Sequence, residues 1–102
     1  MIYAVWYMRP EWFPKGVCYE KPDPNNLEAT HVYVRDVEAN NDVEAGIEWV
    51  WEYMQGHNWS ANGEADALIE AKGLTHTSMS VGDVVVADGA VWLCASIGFE
   101  RL

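Results

Sequence analysis

Val84-Val85-Val86-Ala87-Asp88-Gly89-Ala90-Val91-Trp92-Leu93-Cys94 is the stretch that decides the fold. Asp88-Gly89 lies between two apolar runs. A two-residue type I′ turn needs positive φ at both central positions, which Asp tolerates and Gly adopts freely. Such a turn sets Ala87 opposite Ala90, Val86 opposite Val91, Val85 opposite Trp92 and Val84 opposite Leu93. Side chains alternate along a strand, so Val84, Val86, Val91, Leu93, Ala95 and Ile97 should share one face. Val85, Ala87, Ala90, Trp92, Cys94 and Ser96 fall on the other. Neither face is polar, so this hairpin is expected inside a sheet, covered on both sides.

Working outward, the other end of the chain offers a second interior strand. Ile2–Met8 is apolar in both alternating sets: Tyr3, Val5 and Tyr7 on one, Ile2, Ala4, Trp6 and Met8 on the other. The segment from Arg9 to Thr30 then holds all four prolines, Pro10, Pro14, Pro22 and Pro24, and reads as a long loop. Trp12 and Phe13 sit between two of them, either plugging one side of the core or anchoring a partner. His31–Glu38 alternates as a further strand, with Val32 and Val34 on one side and His31, Tyr33 and Arg35 on the other. Val43, Ile47, Val50, Trp51 and Met54 recur at helical spacing after a capping Asn40-Asn41-Asp42, and Gly56 suits the helix end. A shorter helix, capped by Ser60 or Asn62, should run to Lys72-Gly73 with Ala65, Leu68 and Ile69 inward. The order is β, loop, β, α, α, β, β. It predicts an α+β domain, a four-stranded sheet with two helices on one face and a long Pro-rich loop. Two helices cover one face only. The other must meet the Pro-rich loop or a second copy of the chain, so a homodimer is one solution.

At 102 residues the chain is one domain. Sixteen acidic against six basic residues leave a charge of −10, which argues against direct nucleic-acid binding through phosphates and against an anionic membrane surface. No apolar run approaches the roughly 20 residues of a membrane helix, and Met1–Tyr7 does not read as a signal peptide. Cys18 and Cys94 are expected as free thiols in a reducing cytoplasm.

Certain motifs carry a family likeness. His76-Thr-Ser-Met-Ser-Val-Gly-Asp83-Val-Val-Val, followed by Cys94-Ala-Ser-Ile-Gly98-Phe99, resembles the YodL-like domain. Met54-Gln-Gly-His-Asn-Trp-Ser60-Ala-Asn-Gly-Glu-Ala65, Lys72-Gly-Leu-Thr-His76 and Tyr7-Met-Arg-Pro look like its phage-encoded members. The likeness covers about half the chain. It brings no catalytic residues and no cofactor, and implies a phage accessory protein acting in the bacterial host cytoplasm.

No residue set identifies a reaction. His76, Ser78, Ser80 and Asp83 hold the residue types of a hydrolase, but side chains this close in sequence rarely form a triad, and a turn held by backbone hydrogen bonds is the plainer expectation. His31, His57, His76, Cys18 and Cys94 show no metal-ligand spacing. From Asp36 to Ala71 there are nine acids and no Lys or Arg. Among them Glu44, Glu48 and Glu52 recur one helical turn apart, ~6 Å, close to the phosphate spacing of a nucleic-acid strand.

Three functions are weighed. The first is a non-enzymatic protein binding a host macromolecule, such as a basic nucleic-acid-binding protein, through Glu44, Glu48 and Glu52 with Trp12 and Phe13, in host takeover or counter-defence. The second is a binder of a small nucleotide-type ligand near His76, Ser78, Trp59 and Trp92. The third is an unrecognised enzyme. No cofactor and no metal are expected.

Overall fold

A computed structural model describes residues 1–18, 20–55, 59 and 63–102. The expected Gly56 helix end and the Ser60 and Asn62 caps lie outside the described residues. Five strands form one antiparallel sheet: β1 (Ile2–Met8), β2 (His31–Glu38), β3 (Val84–Ala87), β4 (Ala90–Cys94) and β5 (Phe99–Arg101), ordered β2-β1-β3-β4-β5. The helices are α1 (Phe13–Gly16), α2 (Val43–Tyr53) and α3 (Glu64–Ala71), with a 3₁₀ turn at Leu27–Ala29. The class is α+β as expected, with one strand more.

The hairpin registers as its turn dictates, Val84 with Leu93 through Ala87 with Ala90. Asp88 and Gly89 both hold positive φ, 53° and 71°. The additional strand corrects the reading of Ala95 and Ile97 as strand residues. β4 stops at Cys94, and a tight turn closed by the Ala95 N–H on the Gly98 carbonyl (2.9 Å) sends β5 back along it. Gly98, at φ 71°, permits that reversal, and Ile97 is left 94% exposed at its tip.

β2 departs from simple alternation too. Val5 pairs with Arg35 and Trp6 with Tyr33, so Val34 is an extra residue in a bulge. Hence His31, Val34 and Val37 are the buried residues, and Val32 and Val34 do not form the one-sided set expected. The Pro-rich segment is less irregular than foreseen. Pro14 is accepted in the first turn of α1, where its missing N–H has no intrahelical partner to lose.

Tyr3, Val5, Tyr7, Val37, Val85 and Ala87 meet Ile47, Val50 and Met54 of α2 and Ala65 and Ile69 of α3, closed at one end by Leu74 and Met79. Gly46 lets α2 approach β1: the Tyr3 hydroxyl donates to the Asn40 carbonyl at 2.6 Å beside it, and a Cβ at Gly46 would overlap that hydroxyl. The far face of the sheet is covered only in part. Leu27 seals Val84 and Leu93, while Trp6, Val86, Val91 and Leu102 stay half-buried around them. Among the described residues, no helix is long and apolar enough to cross a membrane.

Candidate functional site

Two places hold the chemistry. The first surrounds Asp83, which enters β3 directly after Gly82 and is completely buried. A carboxylate placed there must be hydrogen-bonded or lose its charge. It accepts from the Met8 N–H at 2.8 Å and from the Ser80 N–H at 2.7 Å, and His76 Nε2 lies 3.1 Å away. Burial pushes its pKa up, opposed by His76 and by the two backbone donors. His76 is sandwiched, stacked on Tyr7 (centroids 4.6 Å) with the Phe13 edge against it at 5.6 Å. The Thr77 carbonyl accepts from the Tyr7 hydroxyl at 2.7 Å and from the Trp59 indole at 3.2 Å. Nearby, His31 is buried, with Nε2 2.7 Å from the Gly82 carbonyl and Nδ1 2.7 Å from the Thr30 hydroxyl. Desolvation lowers its pKa.

Two candidate nucleophiles of this cluster, Ser80 and Cys94, are held back. The Ser80 hydroxyl donates to the Ser78 carbonyl (3.2 Å), away from His76. The Cys94 thiol is pushed up to about 12, first by burial and then by the charge of Asp83, so it is protonated at neutral pH. Its geometry is that of a clamp: one carboxylate ties the end of β1, the 76–80 turn and the start of β3 together. Among the described residues, no group of three or more His, Cys, Asp and Glu could hold a metal ion.

The second place is a cleft of about 550 Å³ between α2 and the β4–β5 ribbon. Its walls include Ile47, Trp51, Trp92 and Phe99, with Glu44 and Glu48 along one side and the turn residues Ala95, Ser96 and Gly98 on the other. The Trp51 and Phe99 rings meet edge to face at 6.4 Å. Glu44, Glu48 and Glu52 are all exposed, one turn apart on α2. Among the described residues, no Lys or Arg forms an ion pair with Glu44 or Glu48. Arg101 reaches the Trp92 ring from the neighbouring strand, 5.9 Å from its centroid, and is not part of the lining.

The residues singled out in the sequence are thus distributed differently from their grouping there. Trp12 and Phe13 are half-buried beside Met8, Gly16 and His76, with Lys15 over the Trp12 ring at 5.5 Å. None of their described ring contacts reaches the glutamates of α2. His76 and Trp59 meet at Thr77, next to Ser78, but Trp92 belongs to the cleft, whose lining contains none of those three. The cleft itself was not foreseen. Its signal was Ser96-Ile97-Gly98, a small-residue turn that brings Phe99 back opposite Cys94. Comparison with protein-family models, with curated proteins and with solved structures finds no match to this chain.

Proposed function

We propose that this chain is a non-enzymatic binding protein whose α2 face docks onto a basic surface of a macromolecule. The observation that carries the reading is the juxtaposition of Glu44 and Glu48, exposed and without a described cationic neighbour, with the aromatic cleft they border. Carboxylates steer a cationic partner and set its register, while large aromatic side chains in a concave site supply most of the affinity. The one-turn repeat of Glu44, Glu48 and Glu52 imitates the charge spacing of a nucleic-acid strand, so a nucleic-acid-binding protein is the fitting partner class. The resemblance to the YodL-like domain favours a phage accessory protein acting on a host component.

The nucleotide reading is the weaker one. Two carboxylates repel phosphate at the cleft, and around His76 the Asp83 carboxylate and the Ser80 hydroxyl are engaged with the ring and the backbone, leaving His76 Nδ1 buried without a partner.

The test is affinity capture from bacterial lysate with the tagged chain and with a variant carrying Glu44→Gln, Glu48→Gln and Glu52→Gln, each at low and high salt. A basic partner retained by the parent, lost by the variant and weakened by salt supports the proposal. A partner held equally by both at high salt refutes it.

A further inference from the structure

We infer that the cleft between α2 and the β4–β5 ribbon is a receptor for an arginine side chain presented by an exposed protein segment. This rests on the reading of α2 as a partner-binding face and names what the partner inserts. The volume, about 550 Å³, falls in the range of small-ligand sites and leaves room for one long side chain with its flanking backbone. The walls are aromatic where a flat group would stack, at Trp51, Trp92 and Phe99. The charge at its edge is carboxylate from Glu44 and Glu48, one helical turn apart, which the cation of an incoming group would neutralise.

Guanidinium fits this combination better than ammonium. It is planar and weakly hydrated, stacks on indole, and presents several N–H donors in a fixed fork that suits two carboxylates. A lysine ammonium offers one compact, strongly hydrated charge and gains less from the rings. The fold already makes such a contact, since the Arg101 guanidinium lies over Trp92.

Ile97 argues for a peptide rather than a free small molecule. It stands 94% exposed between two lining residues, Ser96 and Gly98, and is not itself part of the lining. An apolar side chain next to the inserted arginine would cover it.

The experiment titrates the full chain, ¹⁵N-labelled, with three capped tripeptides, Gly-Arg-Gly, Gly-Lys-Gly and Gly-citrulline-Gly, following the indole N–H signals of Trp51 and Trp92. Citrulline keeps the shape of arginine without its charge. The arginine peptide is expected to shift both signals saturably, the lysine peptide to bind several-fold more weakly, and the citrulline peptide to leave them unmoved. Ser96→Trp places a large side chain in the cleft from an exposed position and should abolish the arginine response. Equal responses to arginine and lysine, no response to arginine, or an unchanged response in the Ser96→Trp variant would each overturn the inference. The captured partner separates this from the broader reading. Loss of that partner in the triple-Gln variant, together with its full retention by Ser96→Trp, leaves the acidic docking face standing and removes the arginine site.

Discussion

The backbone N–H of Met8 donates to the Asp83 carboxylate at 2.8 Å, joining residues 75 positions apart inside the protein. This bond is what anchors the C-terminal hairpin to the first strand beyond the ladder itself. Replacing Asp83 by Ala leaves the Met8 and Ser80 N–H groups and the His76 ring without their acceptor in a buried place. An orphaned buried donor costs ~1–3 kcal/mol, and here two backbone donors and the His76 ring lose their acceptor together. Asp83→Ala is therefore expected to lower stability by about 3–5 kcal/mol in urea denaturation, and Asp83→Asn, which keeps one acceptor oxygen, by less. A loss below about 1 kcal/mol for the Ala variant would show that the carboxylate is not the clamp described.

Two glycines separate steric from conformational cost. Ala is a better helix former than Gly by ~1 kcal/mol, so on propensity alone Gly46→Ala should stabilise α2. The Tyr3 hydroxyl and the Asn40 carbonyl occupy the space a Cβ would need, and overpacking costs ~1–3 kcal/mol. Thermal denaturation should show a net loss for Gly46→Ala that Tyr3→Phe does not relieve, because the Tyr3 ring and the Asn40 carbonyl still occupy the space. At Gly89 a Cβ would meet nothing within 4 Å, but φ is +71°. Gly89→Ala should therefore cost about 1–2 kcal/mol through the backbone alone, with no second-site rescue.

His31 should make the fold acid-sensitive. Its pKa is lowered by desolvation, against the pull of the Gly82 carbonyl and Asp83, and further by Arg9. A depressed histidine contributes stability that is complete above its unfolded value, near 6.5, and lost as pH falls through that value toward the native one. Asp83 has the opposite sign: its raised pKa means the native state holds that proton more tightly, so its own contribution falls as pH rises above the unfolded value of 3.8. The difference in stability between the parent and His31→Gln should shrink below pH ~6.5, by at most ~1.4 kcal/mol per pH unit. Parallel stability–pH curves would contradict the burial of a neutral imidazole.

Glu44 and Glu48 should matter for binding and not for folding. Like charges one turn apart disfavour a helix by a few tenths of a kcal/mol, and Glu44 gains a similar amount from its place in the first turn. The double variant Glu44→Gln, Glu48→Gln is expected to match the parent within about 0.5 kcal/mol in denaturation while partner capture falls. A variant that both unfolds easily and loses its partner would mean that the carboxylates are structural.

How far the sequence could be read depended on how local each cause was. Asp88-Gly89 needs no tertiary partner to favour its turn, so the register of β3 and β4 followed from four residues and two apolar runs. The helical face Ile47, Val50, Met54 and the doubly apolar Ile2–Met8 followed from periodicity in the same way. The exposure of Glu44, Glu48 and Glu52 was equally legible, because carboxylates repeating one turn apart, opposite the apolar stripe of a helix, face solvent.

What only the tertiary structure decided involves groups distant in sequence. Apolar alternation ran on through Ala95 and Ile97, and only the pairing of Phe99 with Cys94 ended β4 and opened the cleft beneath α2. The bulge at Val34 arises from the mismatch of two strands, which neither carries alone. Asp83 and His76 looked like chemistry because their residue types are reactive. Their roles became structural once Met8 and Ser80 supplied donors and burial fixed the ring, since the character of a buried charge is set by partners that the chain brings from far away.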